Sequence, residues 1–285
     1  MLSVAPGADF LYTDRKCRGG IFVKSYLGQA LPELAELLGE DVCTFSMLSR
    51  IIRGKCTKTV TDHARVIMCL SVRPFPVWVW VAPDADQEEL LRVRDVLLAE
   101  FPPEEHSYNV GLPLARVLLD SDPSLRETVG LMAYHCHETI PPRKKPGGSA
   151  SLVTEDEADL AAAWYRLMHK ECALNEDIPL DAAREVVRDY VARGAMLFWR
   201  DESGAPMAMC GVDEDDASAY VTHVYTPIHA RRKGYAGNLV YAAAKEKLAQ
   251  GKTPMLYTDA NYAASNTCYT QIGFQLQGEL KTIGR

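Results

Sequence analysis

Residues 219–274 decide how this chain reads, and within them "TPIHARRKGYAGNL" (226–239) comes first. Ala219–Thr226 is rich in β-branched and aromatic residues and predicts a strand, which Pro227 ends. Gly237–Gln250 predicts a helix stopped at Gly251. Between them lies Arg231-Arg232-Lys233-Gly234-Tyr235-Ala236. A glycine-containing turn from strand to helix directs several backbone N–H groups at one spot. The partial positive charge of the helix N-terminus adds to them, making a site for a phosphate or pyrophosphate. Taken alone, such a triplet is a weak signal and reads first as a plain turn carrying solvated arginines.

Outward from the turn, the elements follow a regular order. Glu155–Cys172 predicts an amphipathic helix whose acidic first turn, Glu155-Asp156-Glu157, suits the helix dipole. Asp181–Arg193 predicts a second helix, with Gly194 as its stop. Ala195–Arg200 and Pro206–Val212 read as strands joined by a hairpin turn at Asp201-Glu202-Ser203-Gly204. Pro254–Asp259 is a further strand, Ala263–Ile272 a last helix and Phe274–Leu280 a final strand. The order ααβββαβαβ fits one α/β domain spanning 151–285.

Thr139–Ser149 holds three prolines, two glycines and the basic triplet Arg143-Lys144-Lys145, so 139–150 reads as a linker. The domain before it, 1–138, is a mixed α/β unit. Leu31–Leu38 and Gln87–Phe101 have helical spacing, while Ala64–Val72 and Val77–Ala82 are apolar runs of strand type. It contains no glycine turn suited to a phosphate.

Composition limits the possibilities further. Across 285 residues, 47% are hydrophobic and 24% charged, ordinary for a soluble globular protein. A net charge of −7 without a basic stripe argues against nucleic acid as partner. No run approaches 18 apolar residues, and Met1–Gly7 lacks the features of a signal peptide, which predicts no membrane span and a cytoplasmic location. The eight cysteines are scattered without a CxxC pair and read as reduced thiols. His135-Cys136-His137 is spaced too tightly for a chelating pair and reads as packing, so no metal is expected.

"VYTPIHARRKGYA" (224–236) and "TDANYAASNTCYTQIGF" (258–274), in this order of elements, resemble the GCN5-related N-acetyltransferases, the GNAT family. The resemblance covers roughly Ser151–Leu280. The first half resembles a degenerate or partial second copy. It implies a GNAT-like acyl-CoA N-acyltransferase fold, α/β, with a mixed, mostly antiparallel sheet and flanking helices, beside the N-terminal mixed α/β domain. The implied activity is an acetyl-CoA-dependent N-acetyltransferase, passing the acetyl group directly to a primary amine on a small molecule or peptide. A non-catalytic acyl-CoA-binding module and a partner-binding α/β protein are the rival readings.

Arg231, Gly234 and Ala236 match the family's [Q/R]-x-x-G-x-[G/A] turn, so the backbone of Arg232, Lys233, Gly234, Tyr235 and Ala236 would hold the coenzyme A pyrophosphate. By the same resemblance the preceding strand splays from its neighbour. Val224 and Thr226 then bond the pantetheine arm, and the Val224 N–H polarises the acetyl carbonyl. An ordinary, fully paired strand is the alternative. Tyr269, four residues before Gly273-Phe274, would donate a proton to the departing thiolate; a thiol of pKa about 8.5 against about 10 for tyrosine suits that role. Tyr269 equally suits packing of the last helix. Cys268 beside it reads as packing. Asn261 and Asn266 would reach the pantetheine amides or cap the helix. His223, Asp259 and Glu279 are candidate bases, with a core histidine as the other reading of His223. Asp213-Glu214-Asp215-Asp216 would attract a cationic acceptor or simply be a solvated hairpin tip.

Overall fold

The computed structural model describes residues 13–16, 22–54, 56–171 and 178–285. The readings of Met1–Gly7, Cys17 and Cys172 lie outside the described residues. The chain divides into two compact units: Met1–Ala133 with Asp259–Asn261 and Gly278–Arg285, and Tyr134–Thr258 with Tyr262–Gln277. The break therefore falls ahead of 139–150, and residues 259–261 and 278–285 join the first unit. The reason is local: one uninterrupted strand, Arg126–Cys136, carries the chain past residue 133.

In the first unit, β1 (Thr13–Lys16), β2 (Phe22–Leu27), β3 (Lys58–Thr61), β4 (Val66–Leu70) and β5 (Val77–Val81) pair antiparallel in sequence order. Between β2 and β3 lie a 3-10 stretch (Pro32–Val42) and α1 (Ser46–Arg53). The α-helical spacing of Leu31–Leu38 is corrected here: the segment is wound as a tighter 3-10 coil, broken at Gly39 with φ 49°. α2 (Gln87–Glu100) leads to β6 (Tyr108–Gly111), parallel to β5. α3 (Leu112–Ser121) and β7 (Arg126–Cys136) follow. Leu280–Ile283 pairs antiparallel with β6. Met68, Val79, Leu97, Phe101, Tyr108 and Ile283 are among the side chains of this unit's core.

In the second unit, β8 (Ser149–Leu152) is followed by a capping box. Thr154 and Glu157 bond reciprocally, and Glu157 accepts the Thr154 N–H at 3.0 Å ahead of α4 (Ala158–Glu171). α5 (Leu180–Ala192) ends at Gly194, whose φ of 62° is costly for any other residue. β9 (Met196–Arg200), β10 (Pro206–Glu214) and β11 (Ser218–Tyr225) are antiparallel. α6 (Tyr235–Ala249) then returns the chain to β12 (Thr253–Asp259), parallel to β11. α7 (Ala263–Gln271) and β13 (Phe274–Gly284) complete the order. α4 and α5 cover one apolar face through Trp164, Tyr165 and Val187, which pack with Phe198 and Met209. Phe198 is fully buried with its ring 5.2 Å from that of Trp164, a burial that contributes about 1.5–3 kcal/mol.

The order of elements occurs twice. β2, two helical pieces, β3-β4-β5, α2, β6, α3 and β7 are matched one for one by β8, α4 and α5, β9-β10-β11, α6, β12, α7 and β13. Each half carries one parallel strand pair bridged by a helix, β5–β6 and β11–β12. The copies differ where the bridging helix starts. At α2 the Asp86 carboxylate accepts the Glu89 N–H at 2.8 Å, and Glu88 and Glu89 occupy the first turn. That N-terminus is already satisfied and repels anions. At α6 no side chain caps the helix, and Gly234 stands at the position.

Candidate functional site

The strand before this turn is irregular at two edges. Along β10, Gly211 pairs with Thr222 but Met209 pairs with Tyr225, so His223 and Val224 together oppose the single residue Cys210. This is a β-bulge, and His223 within it has φ 51°. Along β12, the parallel register covers only Ser218–Tyr220 against Thr253–Met255. From Val221 onward the register with β12 ends. Val224 is half-buried there. Just beyond, the buried Thr226 hydroxyl oxygen has no hydrogen-bond partner among the described residues. A buried polar atom left so is costly unless something supplies its bond. The Thr226 carbonyl accepts the Arg231 Nε–H at 2.8 Å.

The turn itself alternates backbone hand. Arg232 has φ 64° and Gly234 has φ 97° with ψ 2°, both in the left-handed region. Such alternation gathers consecutive N–H groups into a concavity for an anion, and the first N–H groups of a helix have no intrahelical acceptor. Lys233, Tyr235 and Ala236 complete the stretch. These residues fit a diphosphate. Arg231 instead turns back: its guanidinium pairs with Glu171 at the end of α4 and lies 5.7 Å over the Tyr225 ring.

Residues 139–150, expected as a linker, are fastened to the second unit at several points. The Ile140 N–H donates to the Ile272 carbonyl at 2.9 Å, and the Trp199 indole N–H donates to the Gly147 carbonyl at 3.2 Å. Lys144 Nζ donates to the Arg232 carbonyl at 2.6 Å. The buried Asn238 amide donates to the Lys144 carbonyl at 2.7 Å and to the Gly234 carbonyl at 2.8 Å. Lys144 and Asn238 were not among the predicted site residues. The available signal was Asn238, a polar residue on the helical face that buries Leu239, Val240, Ala243 and Ala244.

α7 packs on α6 through Cys268, whose sulfur is 3.1 Å from where a Cβ on Gly237 would sit. Burial pushes the Cys268 thiol up from its ordinary value. Tyr269 is buried, with its ring 6.1 Å from that of Phe274. Gly273, φ 106°, leaves no room for a Cβ, which would meet the Glu138 carbonyl at 2.1 Å. Asn266 Oδ1 accepts the Tyr134 hydroxyl at 3.3 Å. Val224, Thr226, residues 231–236, Asn266 and Tyr269 thus all belong to the second unit. Asn261 and Asp259 belong to the first, where the Asn261 N–H donates to Asp259 Oδ1 at 2.9 Å. The exposed Glu279 is also in the first.

His223 sits in a polar cluster under α4 and α5. Its Nε2 is 3.2 Å from the Tyr190 hydroxyl, which donates to Asp213, and Arg193 reaches the same carboxylate at 3.3 Å. Asp213 is therefore buried in β10, which corrects the reading of 213–216 as a solvated tip for that residue. With its proton directed at Asp213, the Tyr190 hydroxyl oxygen is free to accept from an Nε2–H of His223. Desolvation first, and then His169, lower His223 to about 4, against a smaller opposing pull from Asp213. A histidine depressed in the folded state contributes stability above its unfolded value of about 6.5 that is lost as pH falls towards the folded one. His223→Gln is expected to flatten the loss of melting temperature between pH 6.5 and 4. Identical pH curves for both proteins would refute that assignment.

Among the described residues no group of three or more His, Cys, Asp or Glu is placed to hold a metal ion, and no helix is long and apolar enough to cross a membrane. The rings of His135 and His137 meet edge to face with centroids 4.1 Å apart, and desolvation holds His135 below its ordinary value.

Residues 202–282 match the family model described as FR47-like protein. A search of curated proteins finds no match. Solved structures match over much more of the chain. An acetyltransferase of the GNAT family from Colwellia psychrerythraea is 12% identical with a TM-score of 0.58, covering 92% of this chain and 99% of that one. A GCN5-related N-acetyltransferase from Sphaerobacter thermophilus is 14% identical with a TM-score of 0.62, covering 92% and 94%. Another from Kribbella flavida is 17% identical with a TM-score of 0.53, covering 77% and 86%. The chain has the GNAT-like acyl-CoA N-acyltransferase fold, a mixed sheet with flanking helices.

Proposed function

We propose that the second unit binds acetyl-CoA and transfers its acetyl group directly to a primary amine on a small molecule or peptide. The observation that carries this reading is the bulge at His223–Val224, beyond the point after Tyr220 where the β11–β12 register ends and just upstream of the uncapped Gly234 turn. An arm with amide groups suits the open strand edge and the unpaired Thr226 hydroxyl, while a diphosphate suits the turn.

In this reading the amine nitrogen attacks the thioester carbonyl, the Val224 N–H stabilises the oxyanion, and Tyr269 passes its proton to the leaving thiolate. Asn266 would orient a pantetheine amide. An amine of lysine type, near 10.4, lies about 6 units above His223. Burial leaves His223 too weak a base for such an amine, so the amine reacts from its free-base fraction; after attack its nitrogen gives a proton to water, and Tyr269 regains one from water.

Isothermal titration with acetyl-CoA and with free coenzyme A tests the reading. Micromolar binding supports it and justifies a screen of amine acceptors for thiol release. No heat and no shift in melting temperature at millimolar ligand would remove it.

A further inference from the structure

We infer that Lys144, supplied by residues 139–150 from outside the strand–turn–helix motif, is a diphosphate-binding residue of this site. The inference rests on the acetyl-CoA reading above and adds a residue and a charge to it. Three observations place Lys144 there. Its ammonium lies on the Arg232 carbonyl, at a residue held in a left-handed conformation. Its own carbonyl is clamped by Asn238, which also holds the Gly234 carbonyl. Its Cβ occupies the space beside Gly234, 2.8 Å from where a Cβ there would sit.

The electrostatics agree with the geometry. The chain carries 38 acidic against 31 basic residues, yet Lys144 and Arg232 form no ion pair among the described residues. Arg231, next in the chain, is neutralised by Glu171. Two exposed cations without carboxylate partners beside a concavity of N–H groups make a locally positive spot on an acidic protein. The carbonyl under Lys144 is a weak partner for an ammonium. A diphosphate would replace it with a charge-assisted bond. Lys144 thus has two tasks: its backbone and side chain hold the turn with its N–H groups gathered, and its charge meets the incoming anion.

The position also explains why Gly234 must lack a side chain towards 139–150 as well as towards a ligand. The copy of this turn in the first unit has no such arrangement, since Asp86 caps α2 from within.

Titration calorimetry on the full chain tests the inference, using Lys144→Met, Lys144→Arg and the neighbouring Lys145→Met with acetyl-CoA and with S-acetyl-pantetheine, which lacks the diphosphate. Lys144→Met is expected to weaken acetyl-CoA about tenfold, the effect of one partly exposed charged hydrogen bond, with S-acetyl-pantetheine unaffected. Lys144→Arg keeps most of the affinity, and Lys145→Met keeps all of it. The salt dependence of acetyl-CoA binding becomes shallower in Lys144→Met. Unchanged acetyl-CoA affinity in Lys144→Met, while the unsubstituted chain binds, overturns this inference and leaves the acetyl-CoA reading intact. An equal loss for both ligands also overturns it, because the effect would then be structural. No binding by the unsubstituted chain removes both.

Discussion

If the second unit binds acetyl-CoA as proposed, replacing Gly234 by tryptophan is expected to abolish that binding, with a loss of at least about 100-fold. The position has φ 97°, which costs a side-chain-bearing residue about 1–2 kcal/mol. Any Cβ there also meets Lys144 Cβ at 2.8 Å, and an indole extends into the space the diphosphate needs. Losing two charge-assisted bonds to the turn alone removes about 3–6 kcal/mol of binding. Gly251→Ala is the matched control. It lies at the other end of α6 with φ 77° and open space around it, so it carries the backbone strain without touching the turn. Calorimetry on both proteins, beside their melting curves, separates a local effect from unfolding. Full affinity in Gly234→Trp would place the ligand elsewhere.

Tyr269→Phe leaves acetyl-CoA affinity unchanged and lowers kcat about 100-fold once an amine acceptor is in hand. Loss of a positioned general acid costs about that much or more. The substitution keeps the ring that packs near Phe274, and a melting curve of the variant checks that the fold is kept. Retention of full turnover would leave Tyr269 as a packing residue only. A protein that binds acetyl-CoA but shows no turnover in either form would be a sensing module with an acyltransferase fold. Binding and rate, measured on the same two proteins, therefore read different properties of the second unit.

Much of the second unit is legible in the sequence. The strand–turn–helix around Gly234 has short-range causes: β-branched residues, Pro227 as a stop, and a glycine where only glycine is comfortable. Helix ends at Gly194 and Gly251 were readable for the same reason. Residues 139–150 were not. Prolines and glycines exclude helix and strand, but they do not exclude order imposed by distant partners such as Ile272, Arg232 and Asn238. Asp213 was misread because its neighbour Asp215 does serve a turn, while Tyr190, 23 residues earlier, hydrogen-bonds the buried Asp213. Leu31–Leu38 has the apolar spacing of an α-helix, but Pro32 and the left-handed Gly39 favour a tighter coil. In each case the deciding partner is remote, or the backbone overrides the pattern.

The strand pairing of the first unit has a consequence for synthesis. Asn109 in β6 accepts a hydrogen bond at 2.7 Å from Thr282, 173 residues later, and Leu280–Ile283 supplies the neighbouring strand. Those residues are synthesised after every residue of the second unit, which ends at Gln277. At about 5–20 residues per second, the β6 edge waits roughly ten to forty seconds for its partner. Until then Tyr108, Asn109 and Val110 lie along an open sheet edge, the kind that templates unwanted pairing. The first unit therefore completes this sheet only after residues 280–283 are made, and the second unit has the opportunity to finish first.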